Sequence, residues 1–148
     1  MATKTLSNRL LLEMGKGAVR FDTGTFMAVL MGTGFTYDPS TMHEYGDISG
    51  NELDTGNGYT QGDYDLTTAT AWASSGAEAS ITWVDAEWTA NEGDFGPVGA
   101  AVILQRDGGT LADSLIVGCI AFDSPYTVLD GTDLKIRDVG FTLTTGGS

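Results

Sequence analysis

The chain has one cysteine, Cys119, in 148 residues, so it can form neither an intrachain disulfide nor a thiolate zinc cluster. Cys119 lies within an apolar run, which predicts a small buried hydrophobic side chain. There is also one histidine, His43, which leaves a serine or cysteine triad a single candidate base and excludes a site built from several histidines. No G-x-S-x-G motif accompanies it. We therefore expect His43 to be a loop residue with ordinary hydrogen bonds.

Lysine and arginine are absent from Phe21 to Gln105, a span with thirteen acidic residues, and the net charge is −13. Binding to nucleic-acid phosphates requires basic side chains, so the composition argues against DNA or RNA as a partner. The first twenty residues are instead basic. We expect this segment to contact something different from what the acidic body faces, and its predicted interface residues are Lys4, Arg9, Lys16 and Arg20.

Long hydrophobic runs are missing as well. The apolar runs reach about ten residues, whereas a membrane-spanning helix needs roughly 20. The three leucines near the amino terminus are too few for the hydrophobic region of a secretory signal. These observations predict a protein made in the cytoplasm that has no membrane partner.

Glycine is abundant, with 21 residues, and together with the threonines and aromatics it favours short strands and turns. We predict a mainly β fold, a single compact β-sandwich or β-barrel-like domain with one short N-terminal helix and long glycine-rich loops. The expected organisation is one domain over 1–148: a basic segment at 1–20, a β-rich body at 21–143 and a flexible tail at 144–148.

The one credible helix covers 5–16, because Leu6, Leu10 and Met14 recur at helical spacing and Leu11 widens the stripe. Thr5 is its expected N-cap, and Gly15 or Gly17 its expected end. The stripe fits either the core of its own domain, which we favour, or a partner.

Several strands can be predicted from their patterns. The run 26–31 is apolar throughout and bounded by glycines, which is typical of a central strand buried on both faces. Ile81 and Trp83 share one face of another strand. The runs 97–104 and 114–122 form an expected hairpin. Between 134 and 143 the buried phase changes at Arg137-Asp138, which predicts a bulge or bend.

The stretch "NELDTGNGYTQGDYDL" (51–66) is acidic and rich in glycine. Its spacing does not match an EF-hand, but a calcium site of another kind within 47–65, using Asp54, Asp63 and Asp65, stays open. A phosphate cradle is excluded, because no lysine follows the glycines. The glycines predict tight turns, and Tyr59 and Tyr64 are candidate anchors at a protein interface.

One pair of carboxylates has an arrangement that glycoside hydrolases use. Asp85 and Glu87 are flanked by Trp83 and Trp88, and tryptophans can stack on sugars. Trp83 shares the phase of Ile81, however, which favours a core position. We therefore expect no enzymatic activity and no cofactor.

The order of the motifs resembles that of small structural proteins of tailed bacteriophages. The resemblance begins with "SNRLLLEMGKG" and "FMAVLM", continues through "YDPSTMHEYGDISGNELDTGNGYTQG", and ends with "FDSPYTVLDGTDLKI" and "GFTL". Among these phage proteins, the chain is similar to the head-decoration, or cement, proteins. One difference is Gly62-Asp63, where that family often has two glycines.

That resemblance implies a homotrimer on the outside of the expanded capsid, where it clamps neighbouring copies of the major capsid protein. The expected location is thus the exterior of the virion head. The alternative is a tail or baseplate module that binds a host-surface glycan, which exposed tryptophans would favour. An acidic secreted hydrolase is a third hypothesis.

Overall fold

A computed structural model describes residues 3–67, 71–76, 78–137 and 139–144. The chain is mainly β, with 47% of residues in strands and 12% in helices, as predicted. The α-helices are α1 (Leu10–Gly15) and α2 (Tyr45–Ile48), and Ser49–Asn51 and Leu111–Asp113 each form one short 3-10 helix. The strands are β1 (Thr3–Leu6), β2 (Phe26–Gly32), β3 (Tyr64–Thr67), β4 (Ala71–Ser75), β5 (Glu78–Thr82), β6 (Ala86–Thr89), β7 (Phe95–Gln105), β8 (Leu115–Val128), β9 (Asp133–Ile136) and β10 (Gly140–Thr144). None of the helices in these ranges is long and apolar enough to cross a membrane.

A five-stranded antiparallel sheet of order β1-β8-β7-β2-β3 forms the centre of the fold. Strand β2 is buried on both faces, as its continuous apolar run predicts. Phe26 and Leu30 point into one hydrophobic core, whereas Met27 and Met31 point into a second core on the opposite face. Side chains alternate along a strand, so one uninterrupted apolar run supplies both cores.

Two smaller sheets, β10-β5-β4 and β6-β9, supply the second layer of the sandwich. Their apolar side chains join Phe26 and Leu30 in the first core. Ile81 and Trp83 are both buried there, which confirms that they share a face. On the other face of the large sheet, Tyr45 and Ile48 of α2 pack against Met27 and Met31. The described chain is thus a β-sandwich-like domain with one extra helical cover.

The predicted hairpin is confirmed by the pairing of β7 with β8, in which Gln105 lies opposite Leu115. In the turn between them, the backbone N–H groups of Thr110 and Gly109 donate to Asp107 Oδ2 at 2.7 and 2.9 Å. These bonds hold the pKa of the Asp107 carboxyl below its usual range. The turn thus closes with a carboxylate acceptor.

The phase change expected at Arg137-Asp138 separates two strands that belong to different sheets. Strand β9 pairs with β6 and strand β10 pairs with β5, so the chain changes partner between them. Ile136 and Phe141 are both buried, although they lie in opposite phases. The predicted bulge or bend falls where the chain crosses from one sheet to the other, and Asp138 itself lies outside the described residues, so its backbone geometry stays a prediction.

The N-terminal helix is real but shorter than predicted. Thr3–Leu6 forms β1 and pairs with β8, so Thr5 is a strand residue and not the N-cap. Sheet hydrogen bonds satisfy the backbone of 3–6 better than a marginal helix end would. The helix ends at Gly15, within the expected limits, and Gly17 follows with φ +79°.

The predicted flexible tail is also corrected at its start. Thr144 is the last residue of β10 and pairs with Glu78, so the sheet extends one residue further than expected. The remaining residues, 145–148, lie outside the described ranges.

Cys119 is buried, as predicted, with 2% of its surface exposed. Burial raises the pKa of its thiol from 9.0 to about 12. We expect the native thiol to resist alkylation by iodoacetamide at pH 8.5, because the thiolate is the reacting form. Mass spectrometry should find complete labelling in urea and only slow labelling without it. Rapid labelling of the native chain would contradict this burial.

Candidate interaction surface

Helix α1 exposes two leucines, Leu11 and Leu12. The sequence predicted Leu11 to be on the buried side of the helix and gave no prediction for Leu12. Leu10 is 2% exposed, and Leu6 and Met14 pack against the first core, which confirms own-core packing for that stripe. Leu11 is 70% and Leu12 55% exposed. The expectation that Leu11 widens the buried stripe is therefore wrong. Three consecutive residues span about 200° around a helix, so the triple leucine cannot face one core.

Two basic side chains lie next to Leu12 on the helix, since Arg9 is three residues before it and Lys16 four residues after it. Arg9 Nη2 lies 2.8 Å and Lys16 Nζ 3.6 Å from Oε1 of Glu13, whose side chain is only 8% exposed. The cationic groups themselves stay accessible, with side-chain exposures of 43% for Arg9 and 56% for Lys16. We call Arg9, Leu11, Leu12 and Lys16 the α1 surface. It combines apolar area with positive charge.

The four predicted basic interface residues do not form one patch. The backbone N–H of Arg20 donates to Gln105 Oε1 at 2.8 Å, which fixes Arg20 near the β7–β8 turn. Lys4 lies in β1 opposite Ile120, whereas Gln105 lies opposite Leu115. Five residues along β8 separate these positions, or about 16 Å at the usual rise of a strand. Arg9 and Lys16 belong to the α1 surface, and Lys4 belongs to another region.

Glu52, in the acidic stretch, is buried and organises the loop around it. The Tyr59 hydroxyl and the Gly62 N–H donate to Glu52 Oε1 at 2.6 and 2.8 Å, and the Tyr45 hydroxyl donates to Oε2. The backbone N–H of Leu30 in turn donates to the Tyr59 hydroxyl at 2.9 Å. One carboxylate therefore ties α2, the loop and strand β2 together.

The protonation states in this network follow from burial. Burial, and next the Glu52 carboxylate, raise the pKa of the Tyr45 and Tyr59 hydroxyls above their usual value. Both tyrosines therefore keep their protons and serve as donors to the carboxylate. Charge-assisted bonds of this kind are stronger than bonds between neutral groups.

The prediction that Tyr59 anchors a partner is wrong. Its ring is 1% exposed and packs in the first core of its own chain, with Phe95 6.0 Å away between ring centroids. Tyr64 is half-buried: its ring centroid lies 4.5 Å from that of Trp88, and its hydroxyl accepts the Glu87 N–H at 2.9 Å. Of these two tyrosines, Tyr64 alone has exposed surface that a partner could contact.

The glycines of the acidic stretch are required by its turns, as predicted. Gly58 has φ +99°, and a Cβ atom there would lie 2.1 Å from the Thr89 carbonyl oxygen. Gly62 has φ +64°, and its Cβ would lie 2.8 Å from Leu111 Cδ2. Position 62, the first of the Gly62-Asp63 pair, therefore favours glycine because of its backbone conformation.

The candidate metal ligands are not assembled. Arg106 donates to Asp65 Oδ1 from Nη2 at 2.6 Å and from Nε at 2.8 Å. Across the described ranges, no group of three or more His, Cys, Asp or Glu side chains is arranged to hold a metal ion. The acidic stretch therefore offers a carboxylate network closed by tyrosines and one arginine.

The tryptophans next to Asp85 and Glu87 are not placed to bind a sugar. Trp83 and Trp88 are 4% and 5% exposed, so neither ring offers a face for a sugar. Asp85 Oδ2 lies 3.7 Å from Lys135 Nζ. The indole Nε1 of Trp83 has no hydrogen-bond partner among the described residues.

His43 follows its prediction only in part. Its backbone N–H donates to Asp47 Oδ2 and its carbonyl accepts the Ile116 N–H, at 2.9 and 2.8 Å. Its Nδ1 is buried and, within the described part of the chain, has no hydrogen-bond partner. The backbone of His43 thus links the loop to β8.

Comparison of this chain with protein-family models, with curated proteins and with solved structures found no match. The likeness to phage structural proteins therefore depends on the order of its sequence motifs.

Proposed function

We propose that this chain is a structural protein of a tailed-phage virion, a decoration protein that binds the major capsid protein on the outside of the head as a homotrimer. The observation that carries the proposal is the α1 surface. Two neighbouring leucines are exposed beside basic groups, on a chain whose net charge is −13. Exposed leucines next to a charged rim are typical of a binding surface.

The energetics fit repeated weak binding. Burying Leu11 and Leu12 against a partner would contribute about 1.5–3 kcal/mol for each side chain. The Arg9 and Lys16 side chains stay 43% and 56% exposed while they pair with the buried Glu13, so their remaining N–H donors can reach a partner's carboxylate. A trimer multiplies such modest contacts through avidity.

Loss of the two leucines should weaken binding to the head. We expect Leu11→Ser with Leu12→Ser to reduce affinity for decoration-free heads by roughly 100-fold, because both side chains lose their apolar contact. Bound protein is measured by gel densitometry after sedimentation of the heads.

The matched control is Val84→Ser with Leu129→Ser, since these side chains are 52% and 58% exposed outside the α1 surface. Both double variants should melt within a few degrees of the parent chain. Equal occupancy of heads by the α1 variant and the control would reject the α1 surface as the capsid contact.

The same reasoning favours binding over catalysis. The tryptophans beside Asp85 and Glu87 are buried and offer no sugar-binding face, and the proposal includes no cofactor, nucleic acid or membrane. The tail or baseplate alternative gains no support from Trp83 and Trp88, which are buried. The side chain of Trp72 lies outside the description. Retention of host polysaccharide in a pull-down would favour that alternative.

A further inference from the structure

A groove beside β1 brings together basic residues that are far apart in the sequence. It has a volume of 520 Å³ and is lined from β1, β8, β9 and the residue after β9, so it lies between the large sheet and the β6-β9 sheet. Apolar side chains form its floor, namely Ile120, Phe122, Leu134 and Ile136. We call this feature the basic groove.

The charge of this groove is opposite to that of the chain. Lys4, Lys135 and Arg137 line it, which is three of the seven lysine and arginine residues. Asp123 is the one carboxylate in the lining, and Asp85 Oδ2 lies 3.7 Å from Lys135 Nζ, so the cations outnumber the nearby carboxylates by three to two. Tyr126, which is 46% exposed, adds an aromatic ring at the same place. The groove therefore offers cations above an apolar floor, which suits a carboxylate-bearing surface.

We propose that the occupant of the basic groove is the acidic body of a second copy of this chain. The region 21–105 has thirteen acidic residues and no lysine or arginine, so each copy carries an excess of carboxylates, opposite in sign to the groove. Electrostatic complementarity fixes the orientation of two partners more than it fixes their affinity. This inference rests on the homotrimer of the proposed function and assigns its contact.

The groove and the acidic body are different patches, so the trimer of the proposed function joins them by a heterologous contact. A two-fold dimer would instead make the same contact twice, in both directions at once. Heterologous contacts close into rings when the rotation between copies permits. A cyclic trimer is such a ring.

Charge reversal in the groove tests the contact. Lys135→Glu with Arg137→Glu should weaken self-association by roughly 100-fold, since carboxylates would then face carboxylates. The control, Lys16→Glu with Arg20→Glu, changes net charge equally and should leave association unchanged. Light scattering after size exclusion measures the mass. Lys135→Ala with Arg137→Ala provides a milder variant, and far-UV circular dichroism checks that each variant is folded.

Zero-length carbodiimide cross-linking identifies the partner surface. In a mixture of ¹⁴N- and ¹⁵N-labelled chains, Lys135 or Lys4 should form mixed-isotope cross-links to carboxylates within 21–105. A monomeric parent chain, a folded groove variant of unchanged mass, or cross-links confined to single copies would overturn the inference. A trimer that survives groove reversal would leave the decoration function standing. A groove-dependent trimer that does not bind heads would reject only that function.

Discussion

Replacing Glu52 with alanine is expected to lower the free energy of unfolding by about 4 kcal/mol. The change leaves the Gly62 N–H and the Tyr45 and Tyr59 hydroxyls without their acceptor in a buried site. Each unsatisfied buried donor costs about 1–3 kcal/mol. Urea unfolding followed by tryptophan fluorescence measures the loss.

Two variants separate the network from a general effect of charge. Glu52→Gln keeps the shape but turns an acceptor into an amide donor, so we expect about half of the loss. Asp54→Ala removes an exposed acid from the same stretch and should change stability by less than about 0.5 kcal/mol. If Glu52→Ala matched Asp54→Ala, the buried carboxylate would not hold the loop in solution.

Gly58→Ala should destabilise the fold by about 3 kcal/mol or more. The backbone at φ +99° is strained for any L side chain, and the added methyl would lie 2.1 Å from the Thr89 carbonyl oxygen. The loop must then move away from the end of β6. Thermal and urea unfolding, compared with the parent chain, measure this effect.

Gly50→Ala is the matched control, because a Cβ at Gly50 has no atom within 4 Å and φ there is ordinary. It should leave stability nearly unchanged. Equal stability of the two alanine variants would mean that the contact between Gly58 and Thr89 is not present in the folded protein.

The sequence predicts those elements whose evidence is local. The run 26–31, the hairpin of β7 and β8, and the shared face of Ile81 and Trp83 are all recognisable from periodicity, since burial pattern and turn residues lie within one segment. Cys119 is predicted for the same reason. The apolar run that contains it forms the buried part of strand β8, where Cys119 lies opposite Val102 of β7.

Other features depend on contacts between distant segments. Helical spacing at Leu6 and Leu10 hid β1, whose formation requires pairing with β8 more than 100 residues later. Sequence alone could not reveal Glu52 as the centre of a network, because acids in glycine-rich loops are mostly solvated. Tyr59, whose hydroxyl donates to Glu52, was wrongly predicted to anchor a partner for the same reason. The exposed leucines of α1 could have been inferred from helix geometry, because three successive leucines cannot all be buried on a short helix.

The acidic stretch thus has a structural role that accounts for most of its composition. Glu52 holds the loop to β2, Gly58 and Gly62 permit its turns, and Arg106 engages Asp65. The α1 surface and the basic groove, which we propose as binding surfaces, lie outside this stretch. The exposed carboxylates of the stretch belong to the acidic body that we propose as the partner of the groove.

Cryo-electron microscopy of the phage particle that carries this protein tests the central claim most directly. The account predicts trimeric density on the exterior of the head at threefold positions, with Leu11 and Leu12 against the major capsid protein and the basic groove at the contact between copies. Density for this chain in the tail or baseplate, or a head exterior without it, would contradict the account.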